Sequence, residues 1–208
     1  MSRKVHRVPV HLDAGGVGRL PADDLKAILR AADPLVARGG RTLLAAVLRG
    51  SRRKEVLEHG LDRIPVHGYF RGIPESEVLK RIDRAIVDGY LEIHYDYRLP
   101  LLVYTPRGWE IEKETYAREL FDGFEGRLRM GPPYGMEELK DRDRAMILRV
   151  LELVEESGDA RLVPLLEEWA AFDYRKVRER IGQVIRRLSG SSAEAPREEP
   201  GPVPEVLR

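Results

Sequence analysis

Residues 41–60 read RTLLAAVLRGSRRKEVLEHG, and residues 74–109 read PESEVLKRIDRAIVDGYLEIHYDYRLPLLVYTPRGW. In the first stretch Leu43, Leu44, Val47 and Leu48 recur at helical spacing after a Gly39-Gly40 break, which predicts a helix over Arg41–Leu48. The turn that follows sets Arg49, Arg52, Arg53 and Lys54 around Gly50 and the hydroxyl of Ser51. A short helix then runs to His59 and ends at Gly60, a glycine suited to the C′ position. In the second stretch Pro74 opens a longer helix with Val78, Leu79, Ile82, Ala85 and Ile86 on one face, stopped by Gly89. Tyr90–Tyr95 and Leu101–Thr105 read as strands joined across Asp96-Tyr97-Arg98-Leu99-Pro100.

Helix, helix, helix, hairpin is the order of a winged helix. Residues 43–93 and 95–111 resemble the RQC domain, the winged helix that follows the motor of RecQ-family DNA helicases. Three motifs carry the resemblance, in order and spacing: the LRGS turn with its downstream cations, the HG…GYFRG spacer, and DGYL leading into the wing. The chain as a whole resembles a small stand-alone branch of RQC proteins without the helicase motor. The four-cysteine zinc module that usually precedes this domain has no counterpart, because the chain contains no cysteine.

The resemblance implies a set of DNA contacts. The turn of Arg49, Ser51, Arg52, Arg53 and Lys54 is expected to grip the duplex backbone, with helix-start N–H groups adding to the cations. On the Pro74–Asp88 helix, Lys80, Arg81 and Arg84 are the cations offered to DNA. Glu77, Arg81, Arg84 and Asp88 lie opposite the apolar stripe, so they read either as a major-groove face or as surface ion pairs of the Glu77–Arg81 kind. The RQC resemblance favours backbone and duplex-end contacts over base reading. At the wing tip, Tyr97 is placed to stack on a terminal base pair and Arg98 to meet a phosphate or a base face; packing of Tyr97 on the protein's own surface is the alternative.

The flanks read as follows. Residues 1–38 form an N-terminal arm and helix: Ser2–Leu12 alternates as an edge strand or an extended basic arm, and Pro21–Ala32 is helical. The winged helix spans 39–121, its last helix running over Pro106–Phe121. Four glycines and two prolines in Gly123–Gly135 mark a linker, assigned to 122–135. Within 136–188, Leu139–Ser157 is an amphipathic helix, and residues 158–188 resemble one HEAT-type repeat. Asp159, Pro164-Leu165-Leu166, Asp173, Val177-Arg178 and Ile185 fall where that pattern expects them, with Asp173 capping Tyr174–Leu188. A single repeat cannot bury its face alone, so it should pack on the preceding helix or on the winged helix. Residues 189–208, rich in Pro, Glu, Ser and Ala, read as a disordered tail.

Composition limits the chemistry. The formal net charge is +1 with 34% charged residues, so a DNA footprint has to be local. The 5 histidines include no i,i+4 pair and no HExxH, and no glycine loop is followed by Lys-Ser/Thr, so no metal, no cofactor and no ATP-driven motor are expected. Trp109, Trp169 and Phe172 read as core anchors. No apolar run approaches a membrane span, and Met1–Pro9 is too basic for a signal peptide, which points to a cytoplasmic, nucleoid-associated protein. The expected fold is mainly α with a small β-wing: an RQC-like winged helix followed by a HEAT-like helical domain. The expected role is non-enzymatic recognition of duplex DNA ends, forks or junctions in repair, replication or recombination. The partners would be double-stranded or branched DNA and a helicase or repair protein. A protein-interaction adapter working through the HEAT-like part, or a winged-helix transcriptional regulator, are the other readings.

Overall fold

The computed structural model describes residues 7–191. The chain divides into two compact units, Met1–Tyr116 and Ala117–Arg208. Among the described residues, no helix is long and apolar enough to cross a membrane.

In the first unit, α1 (Ala22–Ala32), α2 (Arg41–Leu48), α3 (Lys54–Glu58) and α4 (Glu75–Val87) precede a hairpin of β1 (Leu91–Asp96) and β2 (Leu99–Tyr104), then the start of α5 (Pro106–Met130). This is the winged-helix order read from the sequence. Helix α2 is buried along its whole apolar run, from Leu43 to Leu48, between α1 and α4. Val78, Ile82 and Ala85 of α4 join it in one core, with Leu79 and Ile86 half-buried beside them. Ile28 and Leu29 of α1 belong to this core, so the helix assigned to an N-terminal flank is part of the winged-helix body.

Two helices stop by the same device. At the end of α2 the amide of Gly50 (φ 75) donates to Val47 and that of Ser51 to Ala46, both at 2.9 Å. At the end of α4 the amide of Gly89 (φ 73) donates to Ile86 at 3.0 Å and that of Tyr90 to Ala85 at 2.9 Å. Each is a Schellman cap, which needs a left-handed residue at C′, and glycine supplies it without a Cβ clash. The LRGS and DGYL motifs therefore owe their glycines to helix termination.

The wing is tighter than expected. Leu99 and Pro100 are inside β2, paired with Asp96 and Tyr95, so the five-residue connection is a turn of Tyr97 and Arg98 alone. Proline is tolerated because residues 100, 102 and 104 point their backbone groups away from β1. Leu102 uses that outer edge, donating to Gly39 and accepting from Ala37, each at 2.9 Å. Thr105 then caps α5: its Oγ1 accepts from Gly108 N at 3.1 Å, with Pro106 at N1. Gly108 lets the helix start against the wing, since a Cβ there would run into the carbonyl of Tyr90.

Helix α5 continues to Met130 through Gly123 and Gly126, so most of the segment read as a linker is helical. Each interior glycine costs about 1 kcal/mol relative to alanine. Burial of Phe124 returns about 2–3 kcal/mol, enough to carry the helix on. The true loop begins at Gly131.

The second unit adds α6 (Arg144–Ser157), α7 (Val163–Phe172) and α8 (Arg175–Ser191) to the rest of α5. Helix α6 starts later than its apolar pattern suggested, because Asp143 caps it by accepting from Ala145 and Met146 N; Met136–Leu139 is a separate 3-10 turn. Helix α8 packs on α6 and α7. Trp169 is fully buried, edge-on to Phe124, and its indole N–H donates to Asp173 Oδ2 at 2.7 Å. Phe172 is 44% exposed and is no core anchor, being the last residue of α7 on its outer side. Helix α8 includes Ser189–Ser191, which were assigned to the tail; residues 192–208 of that tail lie outside the described residues.

Candidate nucleic-acid interface

Two distant motifs converge at the α2–α3 turn. The amide of Gly68 donates to Val47 O at 3.0 Å and that of Phe70 to Leu48 O at 2.7 Å, which seats residues 67–71 on the end of α2. His67 Nε2 lies 3.0 Å from Ser51 O. A Cβ at Gly68 would stand 3.1 Å from Arg71 Nη2, so the guanidinium of Arg71 lies over the two glycines, at the rim of the cationic turn. Arg71 belongs to the GYFRG motif, and nothing in the local pattern brings it to residue 50.

The turn's cations are not equivalent. Arg49 is turned inward, its Nε donating to Ile73 O at 3.0 Å and its Nη1 pairing with Glu75 at 3.2 Å; it fastens the start of α4. Arg53 Nη2 reaches Thr42 O and Glu55, both at 3.5 Å, and Lys54 pairs with Glu58 at 3.5 Å. Arg52 is exposed and has no hydrogen bond or ion pair among the described residues. Of the backbone donors, the amides of Lys54 and Glu55 at the start of α3 make no hydrogen bond among the described residues. Gly50 and Ser51 N serve the Schellman cap, and Arg53 N donates to Ser51 Oγ at 3.3 Å, while the Ser51 hydroxyl keeps its own proton to donate. The turn offers side-chain cations, a hydroxyl and the helix-start amides of Lys54 and Glu55.

On α4 each cation has an acidic neighbour. Lys80 pairs with Glu77 at 2.9 Å, which raises its pKa above the ordinary lysine value. Arg81 meets Asp24 of α1 at 3.8 Å, with its guanidinium also over the Phe70 ring, and Arg84 meets Asp88 at 2.7 Å. The N-terminal segment covers another side of the helix, where Asp13 N donates to Asp83 Oδ2 at 2.7 Å.

The wing tip is the opposite case. Tyr97 is 70% exposed, with φ 51 in the left-handed region that most side chains avoid. Arg98 is exposed beside it, its carbonyl accepting from Val8 N at 3.2 Å. Tyr95 OH donates to Val8 O at 2.9 Å and Arg7 lies over the Tyr95 ring. The described end of the N-terminal arm, Arg7–Leu12, thus packs on the wing and forms no strand; Ser2–His6 lie outside the described residues.

The family model described as RQC domain matches residues 22–120, the span from the start of α1 into α5. The chain contains an RQC domain. Its match takes in all the elements that build the turn and the wing. RQC domains are winged helices that bind DNA and are not themselves catalytic, which supports nucleic-acid binding by this part of the chain. No curated protein and no solved structure matches the chain.

Proposed function

We propose that this protein recognises duplex DNA by its structure, at ends, forks or junctions, and makes or breaks no bonds itself. The contrast between α4 and the wing tip is what carries the reading. A helix that reads bases needs free donors and acceptors facing the groove, whereas Lys80, Arg81 and Arg84 each face a carboxylate. The exposed, left-handed Tyr97 is instead available to stack on a terminal pair. Arg52 and Arg71, with the Ser51 hydroxyl between the motifs that bear them, would hold the backbone phosphates. The second unit, with α7 and α8 as a HEAT-like pair, would serve a helicase or repair protein at the same DNA, in repair, replication or recombination within the cytoplasm or nucleoid.

A binding comparison of blunt duplex, fork, Holliday junction and closed circular duplex at one salt concentration tests this. Ends, forks or junctions should bind more tightly than closed circles of the same base composition. Strong preference for one operator sequence would make the protein a transcriptional regulator. Absence of any salt-dependent DNA binding would make it an adapter.

A further inference from the structure

The second unit holds a concavity of about 730 Å³ between the start of α6 and the start of α8, floored by Ile147 and Val177. Lys140, Arg142, Arg144, Arg175 and Lys176 line it, against two carboxylates, Asp141 and Asp173. One of those carboxylates is already committed: Asp173 is buried and accepts from the Trp169 indole and from Tyr174 N. Arg144 and Lys176 are exposed, with no hydrogen bond or ion pair among the described residues. Tyr174 stands at the same wall, 61% exposed, with Lys140 Nζ 5.4 Å from its ring centre and its hydroxyl 3.4 Å from Asp141 Oδ1.

The N-terminal turn of a helix favours acids through its dipole. Asp143 at the N-cap of α6 and Asp173 just before α8 already supply acids there, and Arg144, Arg175 and Lys176 are cations set beside them. Cations that neutralise a phosphodiester backbone, around an exposed aromatic ring on which a base can lie, are the two components of a single-strand binding site. The volume falls within the roughly 300–1,000 Å³ of sites that take a compact ligand portion.

We infer that this cavity is a second nucleic-acid site, specific for single-stranded backbone with one unstacked base laid on Tyr174. It is separate from the turn and wing of the RQC domain, and shares with the reading above only the class of ligand.

The test uses the full chain and two probes, a fluorescent oligothymidylate and a blunt duplex. Arg144→Glu with Lys176→Glu should lower oligothymidylate affinity and flatten its log–log salt dependence by about 1.4 units, at about 0.7 per lost phosphate contact. Tyr174→Ala should lower the same affinity about tenfold, the worth of one base stack, and Tyr174→Phe should restore it. Duplex-end binding should be unchanged in all three, so that a failure here and a failure of the duplex reading are told apart. All these side chains are exposed, and an unchanged thermal melt would show that the fold survives. Unchanged oligothymidylate affinity would overturn the inference. So would equal losses on both probes, or binding of poly-glutamate as tight as that of the oligonucleotide, which would assign the cavity to an acidic protein.

Discussion

Gly50 stands against Gly68: a Cβ added at Gly50 would lie 3.1 Å from the Cα of Gly68 and 3.2 Å from Arg71 Nη2. Gly50 also has φ 75, so two demands meet at one residue, a left-handed cap and a close backbone crossing. Gly50→Ala should therefore cost about 1–3 kcal/mol, the usual penalty for a side chain in the left-handed region, with crowding added. Urea unfolding measures it. An unchanged midpoint would mean the crossing is loose and the two motifs are not locked together.

Asp83 holds the N-terminal segment to the domain. It is 2% exposed, accepts from Asp13 N at 2.7 Å and pairs with Arg41. Removing one partner of a buried pair costs about 3–5 kcal/mol; Arg41 retains some solvent, which brings the expectation for Asp83→Ala to about 2–3 kcal/mol. Asp83→Asn should cost less, since its amide oxygen can still accept from Asp13. Equal losses for the two substitutions would show that the charge of Asp83 matters and its bond to Asp13 does not.

The helices of the winged helix were legible because their apolar stripes and C′ glycines are local signals: Leu43–Leu48 and Val78–Ile86 name their own faces. The wing's true length was not, because Pro100 reads as a break unless the direction of its missing N–H is known. Gly123 and Gly126 misled in the same way, each a real cost in a helix that the burial of Phe124 outweighs. Among site residues, the sequence identified the cations but not their pairing. Arg49 turns to Ile73, 24 positions away. Arg71, brought to Gly50 by the backbone bonds of Gly68 and Phe70, has no local signal at all.

Acid stability should depend on Glu168. Its carboxylate accepts from Tyr134 N at 2.8 Å and Met136 N at 3.1 Å, and these bonds, led by Tyr134, hold its pKa below the ordinary glutamate value. A depressed folded pKa contributes stability that is present above the unfolded value and lost as pH falls through the folded one. Glu168→Gln should thus be less stable than the parent at neutral pH, with the gap closing from about pH 5 downward. A gap that stays constant down to the acid transition would assign the effect to packing.

Tyr97 allows stacking and strain to be separated. Tyr97→Ala should weaken binding to ends and forks by roughly 1–3 kcal/mol and leave closed circular duplex almost unchanged. Tyr97→Gly should lose the same affinity while relieving the left-handed φ, so its folded state should be at least as stable as that of the alanine variant. Equal binding losses on open and closed DNA, or none on either, would remove the wing tip from the DNA contact.

The salt dependence of duplex binding decides the role of the cationic turn. Each cation that meets a duplex phosphate releases condensed counterions and adds about 0.9 to the slope of log affinity against log salt. Arg52 has no competing partner among the described residues, so Arg52→Ala alone should flatten the slope by about 0.9. Arg53 and Lys54 are held by Glu55 and Glu58, but these pairs are more exposed than those of α4 and yield more readily to a phosphate. The triple change of Arg52, Arg53 and Lys54 to alanine should then flatten the slope by about two to three units and weaken binding to every duplex sequence alike. Arg71→Ala should add a further loss of about 0.9 if its guanidinium shares the same phosphate run. Folding should survive the triple change, since all three side chains are exposed and Val56 alone fastens α3 to the core. A folded triple variant that keeps its affinity and its slope would make this turn a solvated loop, and would leave the wing as the domain's only contact with DNA.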